Sequence, residues 1–536
     1  MDTRIRAMNG LAAPAGGLIA ASICFLSLAA CQDSDTPLGL ASGEDAVAST
    51  SVRSVAGLGA LTCDGDFSLT TQAEVDAFDC TEVTGSLLIG GIAPDITNLD
   101  ALSGLTSVGE LLVVRGADAL TSVDGFSGLT SVGGELRITE NDALINVDGL
   151  SALTSVGGDL LIQLNGSLTN IDGLSALASI GGALRIVQSD ALTNVDGLSA
   201  LTSVSRIFID LNDALTDIDG LSALPSADLI NIRDNDALTN VDGLSALASV
   251  GQSLQLQRND ALTHVDGLSA LTSVGFRLSI HFNDALTNVD GLSALTSIGN
   301  DLDIRDNDAL TDLDGLSALG AIGGSLRLRF NNALTNVDGL SALASVGQFL
   351  FVSGNTALTN VDGFSALTSI GGGLFIDINH ALMNVDGLSA LTSVGGDLIV
   401  AHNSALTKCA CGLFALLETG GVAGSVRIEN NAPGCNSPAE ITAAACVQCK
   451  LDALATDVTE LLLAGALKAG HARSLSNKVD TALKQAAKGN FVAARSSIEA
   501  FIAQVTELET DGEISPETAR VLTEGAQMAR DLLAGG

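Results

Sequence analysis

The sequence contains no tryptophan and no tyrosine, and only 15 of its 536 residues are phenylalanine. A core built mainly on aromatic rings is therefore excluded. Because 46% of the residues are hydrophobic, a large core is still available, and it has to consist of Leu, Val, Ile and Ala. Such side chains suit thin and regular layers, and the composition argues against a wholly disordered chain.

Positive charge is also scarce, with 24 Lys and Arg against 62 Asp and Glu, a formal net charge of -38. Phosphate groups are bound by clustered basic side chains, so we expect no nucleic acid and no general attraction to an anionic membrane surface. Between Ile96 and Leu406 the chain has Arg but no Lys. The acidic surplus predicts a soluble surface.

Motifs for catalysis are missing as well. His380 and His402 fall on neighbouring repeats, but no Cys or second acid accompanies them in a fixed pattern. No nucleophilic Ser motif, phosphate-binding loop or isolated pair of carboxylates stands out. We therefore expect no enzymatic activity, no cofactor and no metal site.

Residues 1–31 have the pattern of an export signal. Arg4 and Arg6 precede an apolar run, which is too short and too closely followed by polar chain to span a membrane. Leu28-Ala29-Ala30-Cys31 resembles the lipobox of bacterial lipoproteins, which implies a lipid anchor on Cys31. The alternative is an ordinary signal peptide in which this Cys is incidental.

The residues after Cys31 bear on location. The residue after Cys31 is Gln32 and not Asp, which by the sorting pattern of bacterial lipoproteins favours the outer membrane. The resemblance therefore implies an exported outer-membrane lipoprotein at the cell surface, held by its acyl chains. Residues 32–61 are rich in Ser, Ala, Gly and Asp and are predicted to form a flexible tether.

One repeat dominates the rest of the chain. Its "AL" dipeptide recurs every 24 residues, except for two intervals of 23 residues. In these two repeats, after Leu201 and after Leu224, one residue is missing where the other copies have Gly-Gly at a corner. A period of this length is typical of a solenoid, whose repeats bury apolar side chains only by stacking. The repeat has no long 3.6-residue stripe, so short strands with tight corners are favoured. The predicted fold is mainly β, a right-handed parallel β-solenoid of about 14 layers, followed by a small all-α domain.

The repeat pattern, with its opening "TCDGDFSLTTQAEVDAFDCTEVTGSLLI", resembles the receptor L domain, a leucine-rich-repeat-like β-solenoid that also occurs in bacterial surface proteins. The resemblance covers residues 62–449 and implies a disulfide between Cys63 and Cys80. This chain has roughly twice as many layers as the receptors and lacks their kinase and membrane-spanning helix. Receptor signalling is therefore not expected.

Two polar columns recur in the repeat. Asp opens each "DGLSAL" turn and is predicted to cap the N–H groups of that turn, with calcium binding as the alternative. An Asn column is predicted to point inward and to satisfy backbone groups at a corner. The Asp column comprises Asp100, Asp124, Asp148, Asp172, Asp196, Asp219, Asp242, Asp266, Asp290, Asp314, Asp338, Asp362 and Asp386. The Asn column comprises Asn141, Asn165, Asn212, Asn235, Asn259, Asn283, Asn307, Asn331, Asn355, Asn379 and Asn403.

A column of single Thr residues leaves ice binding as a distant alternative. Ice-binding solenoids present regular Thr on a flat face, but here each Thr stands alone beside an acidic corner.

Variation is concentrated in the segment before the Asn column. Alternation of period two predicts that its changing residues share one exposed sheet face. These outward residues are Arg137, Arg185, Phe208, Arg233, Arg258, His281, Phe282, Arg305, Arg327, Arg329, Phe330, Phe351 and Phe375. Diversity on a constant scaffold usually marks the ligand side of a solenoid, although charge compensation of the acidic corners is the alternative.

Clustered Arg and aromatic side chains favour a protein or an anionic polysaccharide as the ligand. The predicted binding set is Arg258, Phe282, Arg305, Arg327, Arg329, Phe330 and Phe351. The competing function is a structural envelope spacer without a specific ligand. The sequence indicates no particular oligomeric state.

Five cysteines lie at the C-terminal end of the solenoid: Cys409, Cys411, Cys435, Cys446 and Cys449. In an exported protein they are expected to form disulfides of a cap, with one thiol left over. Zinc binding by Cys409-x-Cys411 and Cys446-x-x-Cys449 is the alternative.

The composition changes to Ala, Leu, Glu and Lys at residue 450, and residues 450–536 are predicted to be helical, with Asn490 and Ser515 as caps. Its "AxxxIxAFIxQV" pattern, within Ala493–Val505, resembles a small helical module often appended to secreted bacterial enzymes and surface proteins.

Overall fold

The computed structural model describes residues 61–91, 95–486, 488 and 490–535. All of them belong to one compact unit, Ser49–Gly536. The predictions on the export signal, on Cys31 and on the tether up to residue 60 lie outside the described residues. Within the described part of the chain, no helix is long and apolar enough to cross a membrane.

The described repeats form 27 parallel strands, which confirms the predicted β-solenoid. Each layer contributes a short strand of a first row and a longer strand of a second row. The first row comprises Thr62–Cys63, Glu82–Val83, Ser107–Val108, Ser131–Val132, Ser155–Val156, Ser273–Val274, Ser297–Ile298, Ala321–Ile322, Ser345–Val346, Ser369–Ile370 and Ser393–Val394. The second row comprises Phe67–Leu69, Leu87–Gly90, Leu112–Arg115, Leu136–Thr139, Leu160–Gln163, Arg277–His281, Leu302–Arg305, Leu326–Arg329, Leu350–Ser353, Leu374–Asp377, Leu398–Ala401 and Val426–Glu429.

Four consecutive layers differ, because their two strands merge into one. The merged strands are Ser179–Val187, Ser203–Asp210, Ser226–Arg233 and Ser249–Gln257. The middle two belong to the repeats that lose a residue, so the loss falls at the corner between the rows, as predicted. The register shifts between Ile180 and Ala183 where the shorter layers begin.

Thirteen layers have a 3-10 turn before their first strand. These turns are Asp100–Gly104, Asp124–Phe126, Asp148–Leu150, Asp172–Leu174, Asp196–Leu198, Asp219–Leu221, Asp242–Leu244, Asp266–Leu268, Asp290–Leu292, Asp314–Leu316, Asp338–Leu340, Asp362–Phe364 and Asp386–Leu388. The apolar side chains of strands and turns point inward and stack on those of the next layer. One layer thus buries Leu286, Val289, Leu292, Leu295, Ile298, Leu302 and Ile304 almost completely.

The N-terminal layer is closed by α1 (Gln72–Asp76). Thr71 caps this helix in a reciprocal capping box with Glu74. Cys63 and Cys80 form the disulfide implied by the receptor L domain resemblance, with Cα atoms 5.8 Å apart.

At the other end, α2 (Ala410–Glu418) packs on the last 3-10 turn, and Val426–Glu429 adds the final strand. Cys409 and Cys435 form a second disulfide with a Cα separation of 5.8 Å. The side chains of Cys411, Cys446 and Cys449 lie outside the described ones, so their pairing stays a prediction.

The helical domain consists of α3 (Pro438–Leu463), α4 (Ala469–Ala486), α5 (Phe491–Thr510) and α6 (Pro516–Gly535). Asn490 caps α5 through the Ala493 N–H, as predicted. The other predicted cap, Ser515, accepts from the Thr518 N–H at 3.1 Å. Leu451, Phe501 and Leu522 lie in a core of their own.

Helix α3 crosses the predicted boundary at residue 450. Its Ile441 belongs to the solenoid core, whereas its Leu454 and Val458 belong to the helical core. One continuous helix therefore contributes to both cores.

The Asn column forms a buried ladder, which confirms its predicted role. The Oδ1 atom of Asn283 accepts the Asn259 N–H at 3.1 Å, and its Nδ2 donates to the Leu256 carbonyl at 3.0 Å. Asn307 repeats both bonds one layer on, and the side chains of the column are fully buried. The ladder satisfies backbone groups at a corner where the chain turns away from the strand.

The prediction that the Asp column caps its own turns was wrong. Asp290 is the first residue of its 3-10 turn, and the residue at the cap position, Val289, makes no side-chain cap bond. The capping side chain is Asn288, whose Oδ1 accepts the Asp290 N–H at 3.1 Å. An Asn two residues earlier reaches that N–H through a local Asx turn, which leaves the Asp carboxylate exposed.

Ser189 interrupts the Asn ladder. Asn212 bonds the Ser189 N–H at 3.1 Å and the Ile186 carbonyl at 3.0 Å, but the shorter serine cannot make the equivalent bonds to Asn165 N–H and the Ile162 carbonyl. In the described structure the buried Ser189 hydroxyl has no hydrogen-bond partner.

We expect Ser189→Asn to stabilise the protein by about 1–2 kcal/mol, because it adds two buried hydrogen bonds in a backbone already shaped for Asn. Urea denaturation followed by circular dichroism measures the change. A lower midpoint in the variant would show that this layer lacks room for the amide and would contradict the prediction.

Candidate binding face

The predicted binding residues lie on the outward side of the second-row strands and at the residue that follows each strand. We call the outward residues of the layers from Ser249–Gln257 to Leu374–Asp377, together with the residue on either side of each strand, the variable face. Arg305 pairs in register with Arg329, and Arg327 with Phe351, in neighbouring layers. These four side chains share one sheet face, as predicted.

Three predicted residues reach this face differently from the expectation. Arg258, Phe282 and Phe330 follow their strands and have left-handed backbone angles, with φ of 51°, 59° and 55°. Period-two alternation therefore does not place them, because the strand has already ended. Their side chains project from the corner that the Asn ladder supports.

Aromatic rings form a compact group on the variable face. Phe351 stacks on Phe375 with centroids 4.6 Å apart and planes at 16°, and Phe349 lies 5.8 Å from Phe351. Phe349 is 40% exposed and Phe330 is 45% exposed. We call Phe349, Phe351 and Phe375 the phenylalanine shelf.

The predicted binding set omitted two of the three shelf residues. Phe375 was recognised as outward-facing, and its register pairing with Phe351 could have been read from the 24-residue period. Phe349 precedes its strand, at a position where the other repeats carry small, charged or Leu residues, so the period alone does not indicate its contact with Phe351.

Guanidinium groups lie against these rings. Arg258 and Arg305 lie 5.4 Å and 5.7 Å from the ring centroid of Phe282, and Arg329 lies 5.3 Å from that of Phe351. At such distances the positive charge is attracted by the ring face. The arrangement holds the guanidinium groups close to the surface of the sheet.

Arg327 has a structural partner. Its guanidinium group contacts Asp301 at 3.1 Å, and Arg277 contacts the same carboxylate at 3.1 Å. Burial opposes ionisation of Asp301, but the Ser325 N–H and the two guanidinium groups outweigh it and lower the pKa of this carboxyl. Arg327 therefore compensates the charge of a nearby carboxylate, which is the alternative role given above for the outward Arg residues.

The other Arg residues of the predicted binding set have longer ion-pair distances or no ion pair. Arg305 lies 3.4 Å from Asp303, and Arg258 lies 3.9 Å from Asp234. Arg329 has no ion pair within the described residues. Arg329 interacts with the carboxylates of Asp303 and Asp306 only at longer range, and its guanidinium group has its direct contact with the ring of Phe351.

Two buried titratable side chains lie beside these Arg residues. His281, 8% exposed, is the register partner of Arg305. Burial, together with Arg305, Arg258 and Arg277, lowers the pKa of His281 to about 4, so its imidazole is neutral at pH 7. Burial raises the pKa of Asp303 in spite of the surrounding guanidinium groups.

Several polar atoms of these layers are buried without a hydrogen-bond partner in the described structure. They are Nε of Arg277, Nδ1 of His281, Oδ1 of Asp303, Nε of Arg305 and Nε of Arg329. Buried polar groups are nearly always hydrogen-bonded in folded proteins. A similar group of such atoms, which includes the Ser189 hydroxyl and Oδ1 of Asn231, lies in the layers with merged strands.

The Asp column forms an exposed acidic stripe along another corner. Partial burial and the carboxylates of Asp312, Asp314 and Asp266 raise the pKa of Asp290. Within the described residues, no three His, Cys, Asp or Glu side chains are grouped so that they could hold a metal ion.

Two shallow grooves lie beside the first-row strands. One, of about 460 Å³, is lined mainly by Ser, Gly and Val from Ser345 to Ala423, and the other, of about 400 Å³, includes Asp228 as its one charged residue. In the second groove the Ser205 hydroxyl donates a hydrogen bond to Asp228 at 3.1 Å.

Comparison with known families assigns the C-terminal part of the chain. Residues 451–531 match the FIMAH domain, from the middle of α3 to the last turn of α6. No curated protein matches the chain.

Proposed function

We propose that this chain is an exported bacterial lipoprotein, anchored at the outer membrane through Cys31, whose variable face binds an anionic macromolecular ligand, either a protein or an acidic polysaccharide. The resemblance of residues 62–449 to the receptor L domain supports a binding role for the solenoid. The protein acts by recognition and not by catalysis.

One observation carries this proposal: Arg329 has a ring contact but no ion pair within the described residues, and it lies beside the phenylalanine shelf, of which Phe349 is 40% exposed. A structural spacer has no need of an exposed ring next to a guanidinium group without an ion pair in a molecule of net charge -38. Arg and aromatic side chains are the usual anchors of binding interfaces.

The test uses the full mature chain with Cys31 replaced by Ser, applied to protein and glycan arrays. We expect Arg305→Gln with Arg329→Gln to weaken binding to the array ligand roughly tenfold or more, because both guanidinium groups contact the ligand. The melting temperature should change little, since neither side chain packs in the core.

The matched control replaces two Arg residues whose partners are exposed. Arg115 contacts Glu140 at 3.0 Å, and Arg427 contacts Glu429 at 2.7 Å, at the two ends of the same row of strands. Arg115→Gln with Arg427→Gln removes the same charge and should leave binding unchanged. Equal loss in both double variants, or no ligand on either array, would favour the spacer.

A further inference from the structure

The variable face combines an apolar surface and a cationic one within a few ångströms. The phenylalanine shelf provides the first, and the register partners Arg305 and Arg329 provide the second, in layers that are about 4.8 Å apart. The guanidinium group of Arg329 lies 5.3 Å from the Phe351 centroid, so one ligand segment can contact both.

On the assumption that the proposed binding role is correct, we propose that the ligand is a protein, and that an extended segment of it places a carboxylate on Arg305 and Arg329 and an apolar side chain on the phenylalanine shelf. The proposal therefore names the ligand class of the same site.

The shelf favours an apolar side chain over a sugar ring. Phe351 and Phe375 stack on each other, so each ring already covers one face of its neighbour. Phe349 is tilted by 33° against Phe351, so the three rings do not form one open flat face. Sugar sites rely on open ring faces, usually of Trp or Tyr, and this chain has neither.

The Arg pair favours a carboxylate. Arg305 keeps 38% of its side chain exposed beside its ion pair with Asp303, and Arg329 is half-buried and has no ion pair within the described residues, so the outer nitrogen atoms of both can meet a ligand. A carboxylate accepts two parallel N–H bonds from a guanidinium group, and an Arg that already stacks on a ring is held in position for this. Phe282 holds Arg305 and Phe351 holds Arg329 in this way.

The geometry predicts the spacing of the two side chains. In an extended chain, residues i and i+2 point to the same side, about 6.6–6.8 Å apart. This distance suits the 5.3 Å between the Arg329 guanidinium and the Phe351 ring. An acidic and an apolar residue should therefore be two positions apart and not adjacent.

Three labelled octapeptides, the first two of identical composition, test the inference by fluorescence anisotropy with the full mature chain. In the first, Glu and Phe alternate with Ser so that both point to one side; in the second, Glu and Phe are adjacent; the third repeats the first with Gln in place of Glu. We expect the first peptide to bind at least tenfold more tightly than the other two. Arg329→Gln and Phe351→Ser should each remove this preference, whereas Arg427→Gln should not.

Polygalacturonate serves as the glycan probe and separates the two proposals. Binding of polygalacturonate that depends on Arg305 and Arg329, without peptide binding, would overturn the protein inference and leave the proposed function standing. Equal affinity for the three peptides, or no peptide binding at all, would also overturn the inference. Circular dichroism melting curves of each variant show whether a loss of binding reflects unfolding, and Arg329→Lys, which keeps the charge without the two-pronged geometry, should recover only part of the affinity.

Discussion

Replacement of Gly291 by Ala should destabilise the solenoid by about 3 kcal/mol or more, an effect of backbone overlap in a fully packed layer. A Cβ atom at this position would overlap the carbonyl oxygen of Val265 and the Cα of Asp266 in the preceding layer. The turn cannot retreat, because Leu292, the next residue, is fully buried. Urea denaturation followed by circular dichroism measures the loss.

Gly320→Ala is the matched control. A Cβ there would meet nothing within 4 Å, and the neighbouring repeat already has Ala344 at the equivalent position. We expect a change of less than about 1 kcal/mol, in the stabilising direction, because Ala restricts the unfolded chain. Similar losses for the two variants would show that the layers can separate and would contradict the argument.

The shape of the urea denaturation curve should also show where the array is weakened. Each layer of a solenoid contacts only its neighbours, so a weakened interface in the middle of the array uncouples the layers on its two sides. We expect the Gly291→Ala curve to broaden or to divide into two transitions, whereas the wild-type and Gly320→Ala curves stay single.

Much of the fold could be predicted from the period alone. A 24-residue repeat with apolar residues at fixed positions can bury them only against its own copies, which predicts stacked layers and rows of strands. The recurrence of Asn at one position of the repeat predicts the inward column. The Gly of each turn was visible in the pattern, but its contact with the preceding carbonyl depends on how closely two turns approach, and a pattern does not contain that distance.

The Asp column shows where local reasoning fails. The repeat offers two candidate caps for the same turn, Asn288 and Asp290, and both residue types are good caps. Asn288 lies two residues before the N–H that it binds, in Asx-turn geometry, whereas Asp290 has already entered the turn. The choice depends on backbone angles that the sequence does not express.

The candidate site was predictable where it follows strand alternation and register. Arg305, Arg329 and Phe351 were assigned to one face on that basis, and they lie together. The partner of Arg327 was not predictable in this way, because Asp301 precedes its strand and approaches from the neighbouring layer. Ion pairs between layers depend on side-chain reach, which the period does not specify.

The Asn ladder gives the second large expected effect. Asn283→Ala should cost about 4 kcal/mol, because it leaves the Asn259 N–H and the Leu256 carbonyl buried without partners and opens a small void. Thr263→Val is the control: its exposed hydroxyl donates to the Thr239 carbonyl at 3.2 Å, and its removal should cost less than about 1 kcal/mol. Denaturant midpoints of the two variants give the comparison.

Asn283→Asp separates loss of the ladder bonds from a general packing defect. The variant keeps the size and the acceptor of Asn283 but buries a carboxylate, and burial raises the pKa of such a group above its unfolded value. The folded state then binds more protons than the unfolded state, so stability should increase as the pH falls from neutral towards the unfolded pKa. A protonated carboxyl can also donate to the Leu256 carbonyl, as the amide does. If Asn283→Asp gained no stability relative to wild type on acidification, or if Asn283→Ala cost no more than Thr263→Val, the ladder would contribute little, and the coupling between layers would have to come from apolar packing alone.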